Sequence, residues 1–189
     1  MSWEQIQGWV CPQLENFYRE MSMKLRSGVF VEVGVAYGKS LTLMCELAYP
    51  NLEIYGVDLW EEFMGGDNLS PEAISWLRSH GTPLEACKAS MGKLVGRVHC
   101  FYKFSSVEAS RFFEDESVDL VFLDDRHEYD FLKAGIQAWL PKVKKGGNLA
   151  GHDYNEHFPG VMKAANELPT LEIRDNKDGW GGVWIHEKP

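Results

Sequence analysis

Basic residues are scarce in this chain: 19 Lys and Arg stand against 28 Asp and Glu, for a net charge of −9. A protein that grips a nucleic-acid backbone needs a basic stripe. The nearest thing to one, Lys142, Lys144 and Lys145, is short and reads as a solvated turn. Nucleic acid is therefore disfavoured as the main partner, and so is an anionic membrane surface. Cysteine is sparse too. Cys11, Cys45, Cys87 and Cys100 are scattered without a CxxC pair, which points to reduced, buried thiols in a cytoplasmic protein. The N-terminus carries Glu4 and no basic region ahead of an apolar run, unlike a signal peptide. No apolar stretch approaches the ~18 residues of a membrane span. Repeats, low-complexity tracts and linker-like stretches are missing as well, which leaves one domain over residues 1–189.

What the chain does have is core material. Of its 189 residues, 44% are hydrophobic and 13% aromatic, enough to fold without disulfides or a structural metal. Helical and strand periodicity alternate along it. An N-terminal helical cap (1–27) contains a helix opened by Pro12, with Leu14, Phe17, Tyr18, Met21 and Leu25 at helical spacing. Val29–Val33 is a strand, Gly34–Gly38 a turn and Lys39–Ala48 a helix. Leu52–Asp58 is a second strand. Residues 59–96 make a lid and substrate region that begins with the Gly-rich acidic loop EEFMGGDN and turns helical at Ser70-Pro71. Strands then follow at Arg97–Phe104, Val118–Asp124 and Gly147–Asp153. Their helices lie at Ser106–Phe113, around Tyr129–Leu140 and at Phe158–Glu167. LEIRD and GGVWIHE close the chain as an antiparallel pair joined by Asn-Lys-Asp-Gly turn chemistry. This order predicts a Rossmann-like, doubly wound, mostly parallel α/β sheet of about seven strands with helices on both faces.

In such sheets, ligands bind beyond the carboxyl ends of the strands, where the strand order reverses. Polar residues stand at nearly every such end here. Gly34 and Gly38, in EVGVAYGKS, allow tight or positive-φ turns and close approach of a ligand. The helix start behind them offers N–H groups to a carboxylate. The G-x-x-x-G spacing is neither a dinucleotide fingerprint nor a P-loop. Asp58 follows Gly38 by twenty residues, where a carboxylate can accept hydrogen bonds from both hydroxyls of a ribose. A plain turn and a solvated turn acid are the blander alternatives for these two features. Together they suggest a nucleoside whose attached group lies in the glycine turn.

FVEVGVAYGKS, IYGVDLW, VDLVFLDDRHEYD and WLPKVKKGGNLAGHDY, with FPGV after it, occur in order from about Gly28 onward. In these segments the chain resembles the class I S-adenosylmethionine-dependent methyltransferases. The likeness is to small O-methyltransferases of sugars and polyketides and to cephalosporin-hydroxylase-like proteins. The resemblance implies that Glu32, Gly34 and Gly38 surround the methionine part of S-adenosylmethionine, with Tyr37 and Ser40 as wall and hydrogen-bond contacts. It implies Asp58 on the ribose, Leu59 and Trp60 near the adenine, and Ser105 and Ser106 at the adenine's polar edge. For Trp60, simple core packing is the alternative.

The same resemblance brings Asp124, His127, His152 and Asp153 together at the ends of strands four and five, with Asp124 also beside the cofactor. The catalytic set is then His127, Asp124 and Asp153, with His127 as general base. Related metal-dependent enzymes bind a divalent cation at the positions held here by Asp124, His152 and Asp153. His152 departs from the usual acid or amide and suits Mn²⁺, Fe²⁺ or Zn²⁺ better than Mg²⁺. Helix capping by His127, and a His152 packed against Asp124, are the structural alternatives. Arg126 is another departure; it favours an acidic substrate or pairs with Glu128. His157 and His186 receive no role. The expectation is therefore O-methylation of a small sugar, polyketide or phenolic acceptor, in a pocket left open or completed by a second subunit of a homodimer. Two other classes compete: an inactive nucleoside-binding or assembly domain on the same fold, favoured if His127, Asp124 and Asp153 lie far apart, and a nucleotide-sugar or dinucleotide enzyme.

Overall fold

The computed structural model describes residues 2–62, 70–174 and 181–189. The Gly-rich acidic loop, apart from Glu61 and Glu62, and the Asn-Lys-Asp-Gly turn lie outside the described residues. Among the described residues, seven strands form one sheet: β1 (Ser27–Val33), β2 (Asn51–Asp58), β3 (Val98–Lys103), β4 (Val118–Leu123), β5 (Val143–Gly151), β6 (Glu172–Arg174) and β7 (Val183–Glu187), in the order β3-β2-β1-β4-β5-β7-β6. β1 to β5 run parallel, and β7 lies antiparallel between β5 and β6. The seven-strand, mostly parallel sheet is thus as the sequence predicts.

Among the described residues, seven α-helices accompany the sheet: α1 (Pro12–Lys24), α2 (Lys39–Leu47), α3 (Pro71–Arg78), α4 (Pro83–Met91), α5 (Ser106–Ala109), α6 (Tyr129–Trp139) and α7 (Pro159–Ala165). Proline at the first turn opens α1, α3, α4 and α7, where its missing N–H costs no intrahelical bond. Thr82 and Ser105 begin α4 and α5 with capping boxes to Glu85 and Glu108. Ser105, expected at the adenine edge, thus has its hydroxyl engaged in capping.

The period-2 alternation of the central strands divides the core between two faces. Phe30, Leu120 and Phe122 pack with α1 and α2 through Leu14, Phe17, Tyr18, Leu41 and Met44. Val31, Val33, Val121 and Leu123 pack with α6 and α7 through Leu132, Ile136, Trp139 and Val161. α1 lies within the segment 1–27 and buries Leu14, Phe17 and Tyr18 in the first of these clusters. No helix among the described residues is long and apolar enough to cross a membrane.

Candidate active site

The strand order reverses between β1 and β4, which are neighbours although β2 and β3 intervene in sequence. The loops leaving these two strands touch. Asp124 N–H donates to the Val33 carbonyl at 2.7 Å. A Cβ on Gly34 would fall 2.1 Å from the Asp124 carbonyl oxygen, so only glycine permits this approach. Gly34 has φ 92°, Ala36 48° and Gly38 84°, which makes the turn left-handed at alternate residues.

Asp58 holds that turn in place. Its Oδ2 accepts from Ala36 N–H at 2.9 Å and its Oδ1 from Trp60 N–H at 2.8 Å. The Trp60 indole N–H donates to the Ala36 carbonyl at 2.9 Å. Trp60 is itself 3% exposed and meets Phe101 edge-on, so it braces the turn from the core; Leu59 beside it is exposed. A carboxylate has about four lone-pair sites. Asp58 spends two on the backbone and keeps capacity for ribose hydroxyls.

Glu32 lies beneath the turn with no exposed surface. Ser40 donates to one oxygen at 2.7 Å and Tyr18 of α1 to the other at 2.8 Å. Burial pushes its carboxyl up to about 8. With no exposed surface, Glu32 supports the turn from below rather than lining its open side. Ser40 is engaged by the same hydrogen bond. Tyr37 packs with Ile6, Leu77 and Ala86, and α4 closes over Gly38 through Cys87 and Met91. Ser106 is buried and accepts the indole N–H of Trp139 at 3.1 Å.

The charged residues gather on the other side of the β1–β4 junction. β4 and β5 pair in parallel, which brings Asp124 beside His152 and Asp153. β5 begins at Val143, four residues earlier than the sequence predicts, and ends at Gly151. His152 and Asp153 therefore sit just past the strand, although His152 N–H still bonds the Leu123 carbonyl at 3.2 Å. Asp153 is left-handed at φ 59°, a costly conformation for a non-glycine residue. Imidazoles flank its carboxylate: His127 Nε2 lies 2.8 Å from Oδ2 and His152 Nδ1 3.2 Å from Oδ1. His152 Nδ1 is also 3.8 Å from Asp124 Oδ1.

The electrostatics follow from burial and this pairing. Burial opposes charge on Asp153, but hydrogen bonds from His127 and His152 hold it well below the carboxylate range. Burial pushes Asp124 up to about 7 against the pull of His152, with Asp153 adding to the rise. The hydrogen bond to Asp153 raises His127. His152 is raised well above its ordinary value, because Asp124, Asp153 and Cys11 outweigh its burial. Phe158, just before α7, stacks on the His127 ring at 4.1 Å between centroids. The capping residue of α6 is Glu128, so capping does not account for His127. Arg126 pairs with Glu128 at 3.5 Å and lies over Phe131. His157 is exposed, and His186 is buried on β7 against Thr170.

Asp124, His152 and Asp153 can each aim one ligand atom into a space where these atoms lie within 4.8 Å of one another. Two carboxylates and an imidazole form a donor set that fits a borderline divalent cation. Several partners have roles that no motif announces. Tyr18 and Cys11 reach the site from α1 and its cap, where helical spacing and cysteine usage suggest burial but no role; Phe158, in FPGV at the start of α7, stands in a motif that does not reveal its stacking on His127. Two clefts lie elsewhere. One of about 300 Å³ is lined by Phe17, Glu20 and Arg174, and one of about 430 Å³ lies between α6 and α7 over Ile136, Leu140 and Leu168.

This strand order, with a left-handed turn after β1, an acid ending β2 and a charged cluster after β4 and β5, is the arrangement of the class I methyltransferase fold. The chain belongs to the Methyltransf_24 family, described as a methyltransferase domain, which it matches over residues 31–154. The Uncharacterized protein y4gI of Sinorhizobium fredii is 28% identical over 152 residues. That match covers 78% of this chain but only 16% of the relative's length. A solved S-adenosylmethionine-dependent O-methyltransferase from Thermotoga maritima superposes with TM-score 0.62 at 16% identity, covering 96% of this chain and 67% of that one. A Clostridium thermocellum structure provisionally named as an rRNA methylase superposes with TM-score 0.67 at 12% identity, over 96% and 100% of the two chains. At these identities the structural likeness is one of fold.

Proposed function

We propose that this protein transfers the methyl group of S-adenosylmethionine to a hydroxyl of a small sugar, polyketide or phenolic acceptor. The observation that carries this reading is the convergence of His127, Asp153 and Asp124 directly across the β1–β4 junction from the glycine turn. Had they lain apart, the inactive nucleoside-binding domain would be the better reading. The O-methyltransferase name of the Thermotoga maritima structure adds support; the rRNA methylase name shows that fold alone does not set the acceptor. A net charge of −9 favours a small acceptor over a polyanionic one.

The cofactor supplies an electrophilic methyl on a sulfonium. The chain's part is to place it and to take up a proton. The left-handed turn lets the backbone approach the methionine moiety, and Asp58 offers its remaining lone pairs to the ribose. Asp153 accepts the Nε2 hydrogen of neutral His127, which leaves the lone pair on Nδ1. Nδ1 takes the acceptor's hydroxyl proton as the new O–CH₃ bond forms, and Asp153 stabilises the imidazolium that results. Phe158 keeps the ring in its plane by stacking.

A second reading is favoured by the Asp124–His152–Asp153 cluster: these residues would hold a divalent cation, which would lower the hydroxyl's pKa. The experiment is transfer of tritiated methyl from S-adenosylmethionine to a panel of hydroxylated sugars and phenols, with the linkage identified by NMR. Labelled methyl ether supports the reading, whereas cofactor binding without transfer to any member argues for the inactive domain. Repeating the transfer after exhaustive chelation separates the two chemical routes: surviving activity assigns deprotonation to His127 alone, and activity recovered only with Mn²⁺ assigns the lowering of the hydroxyl's pKa to the cation, with the proton passing to His127 or water.

A further inference from the structure

Cys11 belongs to none of the motifs, yet it touches the charged cluster. It caps α1, its sulfur accepting from Leu14 N–H at 3.4 Å. The sulfur also lies 2.9 Å from the Gly181 carbonyl oxygen and 3.2 Å from His152 Nε2, a residue 141 positions away. A carbonyl oxygen carries no hydrogen, so the short contact with Gly181 requires the thiol S–H to donate. That uses the only hydrogen on the sulfur. Toward His152 the sulfur can then act only as acceptor, and the hydrogen between them belongs to Nε2. Room for this contact depends on Gly181. With φ 80°, a Cβ there would fall 2.9 Å from His152 Nε2 and 3.2 Å from the Cys11 Cβ.

We propose that Cys11 is a positioning residue that fixes the proton on His152 Nε2 and thereby reserves Nδ1 for the pocket between Asp124 and Asp153. The opposite nitrogen has the geometry this demands, 3.2 Å from Asp153 and 3.8 Å from Asp124. With Nε2 anchored, the ring cannot turn over to exchange its two nitrogens. Whatever sits between Nδ1 and the carboxylates, a proton or a cation, meets the same nitrogen each time. The consequence for a cation rests on the second reading above, in which His152 is a ligand through Nδ1. A histidine ligand is commonly oriented by a partner on its other nitrogen, and loss of such a partner typically costs about 10–100-fold in metal affinity.

The test is a long-range ¹H–¹⁵N spectrum of metal-free protein labelled at histidine, for wild type, Cys11→Ser and Cys11→Val. The expected result is a slowly exchanging His152 Nε2–H in wild type and in Cys11→Ser, whose hydroxyl can also donate to Gly181 and accept from the ring. In Cys11→Val that hydrogen exchanges at least about tenfold faster. A wild type protonated only at Nδ1 overturns the assignment without recourse to any variant, and so does an unchanged Nε2–H in Cys11→Val. Mn²⁺ titration of the same three proteins gives the second readout: affinity about 10–100-fold weaker in Cys11→Val, recovered in Cys11→Ser. A wild type with the anchored Nε2–H but no Mn²⁺ uptake removes the cation reading and leaves the role of Cys11 standing.

Discussion

The two sides of the β1–β4 junction are built on opposite principles. On the β1–β2 side, the carboxylates face neutral donors: Asp58 takes two backbone N–H groups, and Glu32 takes two hydroxyls. On the β4–β5 side, carboxylates face imidazoles, with Asp153 between His127 and His152 and Asp124 close by. Neutral donors fix a shape, which suits binding. Titratable partners can move a proton, which suits chemistry. The contact between Gly34 and the Asp124 carbonyl joins the two sides without mixing their roles.

If the division is real, the two sides fail differently when altered. The largest effect belongs to the charged side. His127→Ala should lower turnover about 10²–10⁴-fold while leaving cofactor affinity nearly unchanged, as tritium transfer at saturating cofactor and calorimetry will show. A parallel loss of affinity would break the division.

Next comes Glu32, whose carboxyl burial raises from an ordinary 4.5 to about 8. Between those values the folded protein keeps a proton that the unfolded chain releases. Stability from this group is therefore full below about 4.5 and falls as pH rises toward 8. Replacing it by Gln in Glu32→Gln keeps the shape without the titration. Denaturant unfolding should show a loss of a few kcal/mol across that window in wild type, clearly smaller in the variant. Equal slopes would mean that the buried acid does not titrate.

Asp58→Ala should weaken binding of S-adenosylmethionine by roughly 1.5–3 kcal/mol, the scale of hydrogen bonds to a charged group. Asp58→Asn, which keeps one acceptor oxygen, should lose less. Unchanged calorimetric affinity in the alanine variant would remove Asp58 from the binding side. The smallest effect is expected of Trp60→Phe, which keeps a ring against Phe101 but removes the indole hydrogen bond to Ala36. Its cost in denaturant unfolding should be about 0.5–1.5 kcal/mol, and a larger effect on cofactor affinity than that of Asp58→Ala would reverse the roles given to the two residues.

The same contrast explains what could be read from sequence. The binding side is assembled largely from neighbours along the chain. β1, the turn, α2 and β2 announce themselves by an apolar run, two glycines, helical spacing and a terminal acid. The tie from Asp58 to Ala36 does not, because it forms only when β2 lies beside β1. Glu32 is legible as part of β1, but its burial beneath the turn is not. Its burial depends on Tyr18, fourteen residues upstream on another element. Ser106 and Trp60 likewise find partners, Trp139 and Ala36, that no local pattern specifies. On the charged side, the Asp-x-x-His and His-Asp segments contain the residues that meet there, and their convergence follows once β4 pairs with β5. The early start of β5 was hidden by Lys144, Lys145 and Gly146, which look like a solvated turn, although Lys144 pairs with Asp119 on β4. Cys11 resembled an ordinary buried thiol because its partners, His152 and Gly181, are far off in sequence.

The central claim is that the glycine turn and Asp58 form the cofactor side of one site whose other side is the charged cluster. Amide chemical-shift mapping with S-adenosylhomocysteine, the demethylated product of the cofactor, tests it without knowledge of the acceptor. The account predicts the largest shifts at Gly34–Gly38 and Asp58–Trp60, with smaller ones reaching Asp124 and His127. Shifts confined to the cleft between α6 and α7, or no shifts at millimolar ligand, would contradict it.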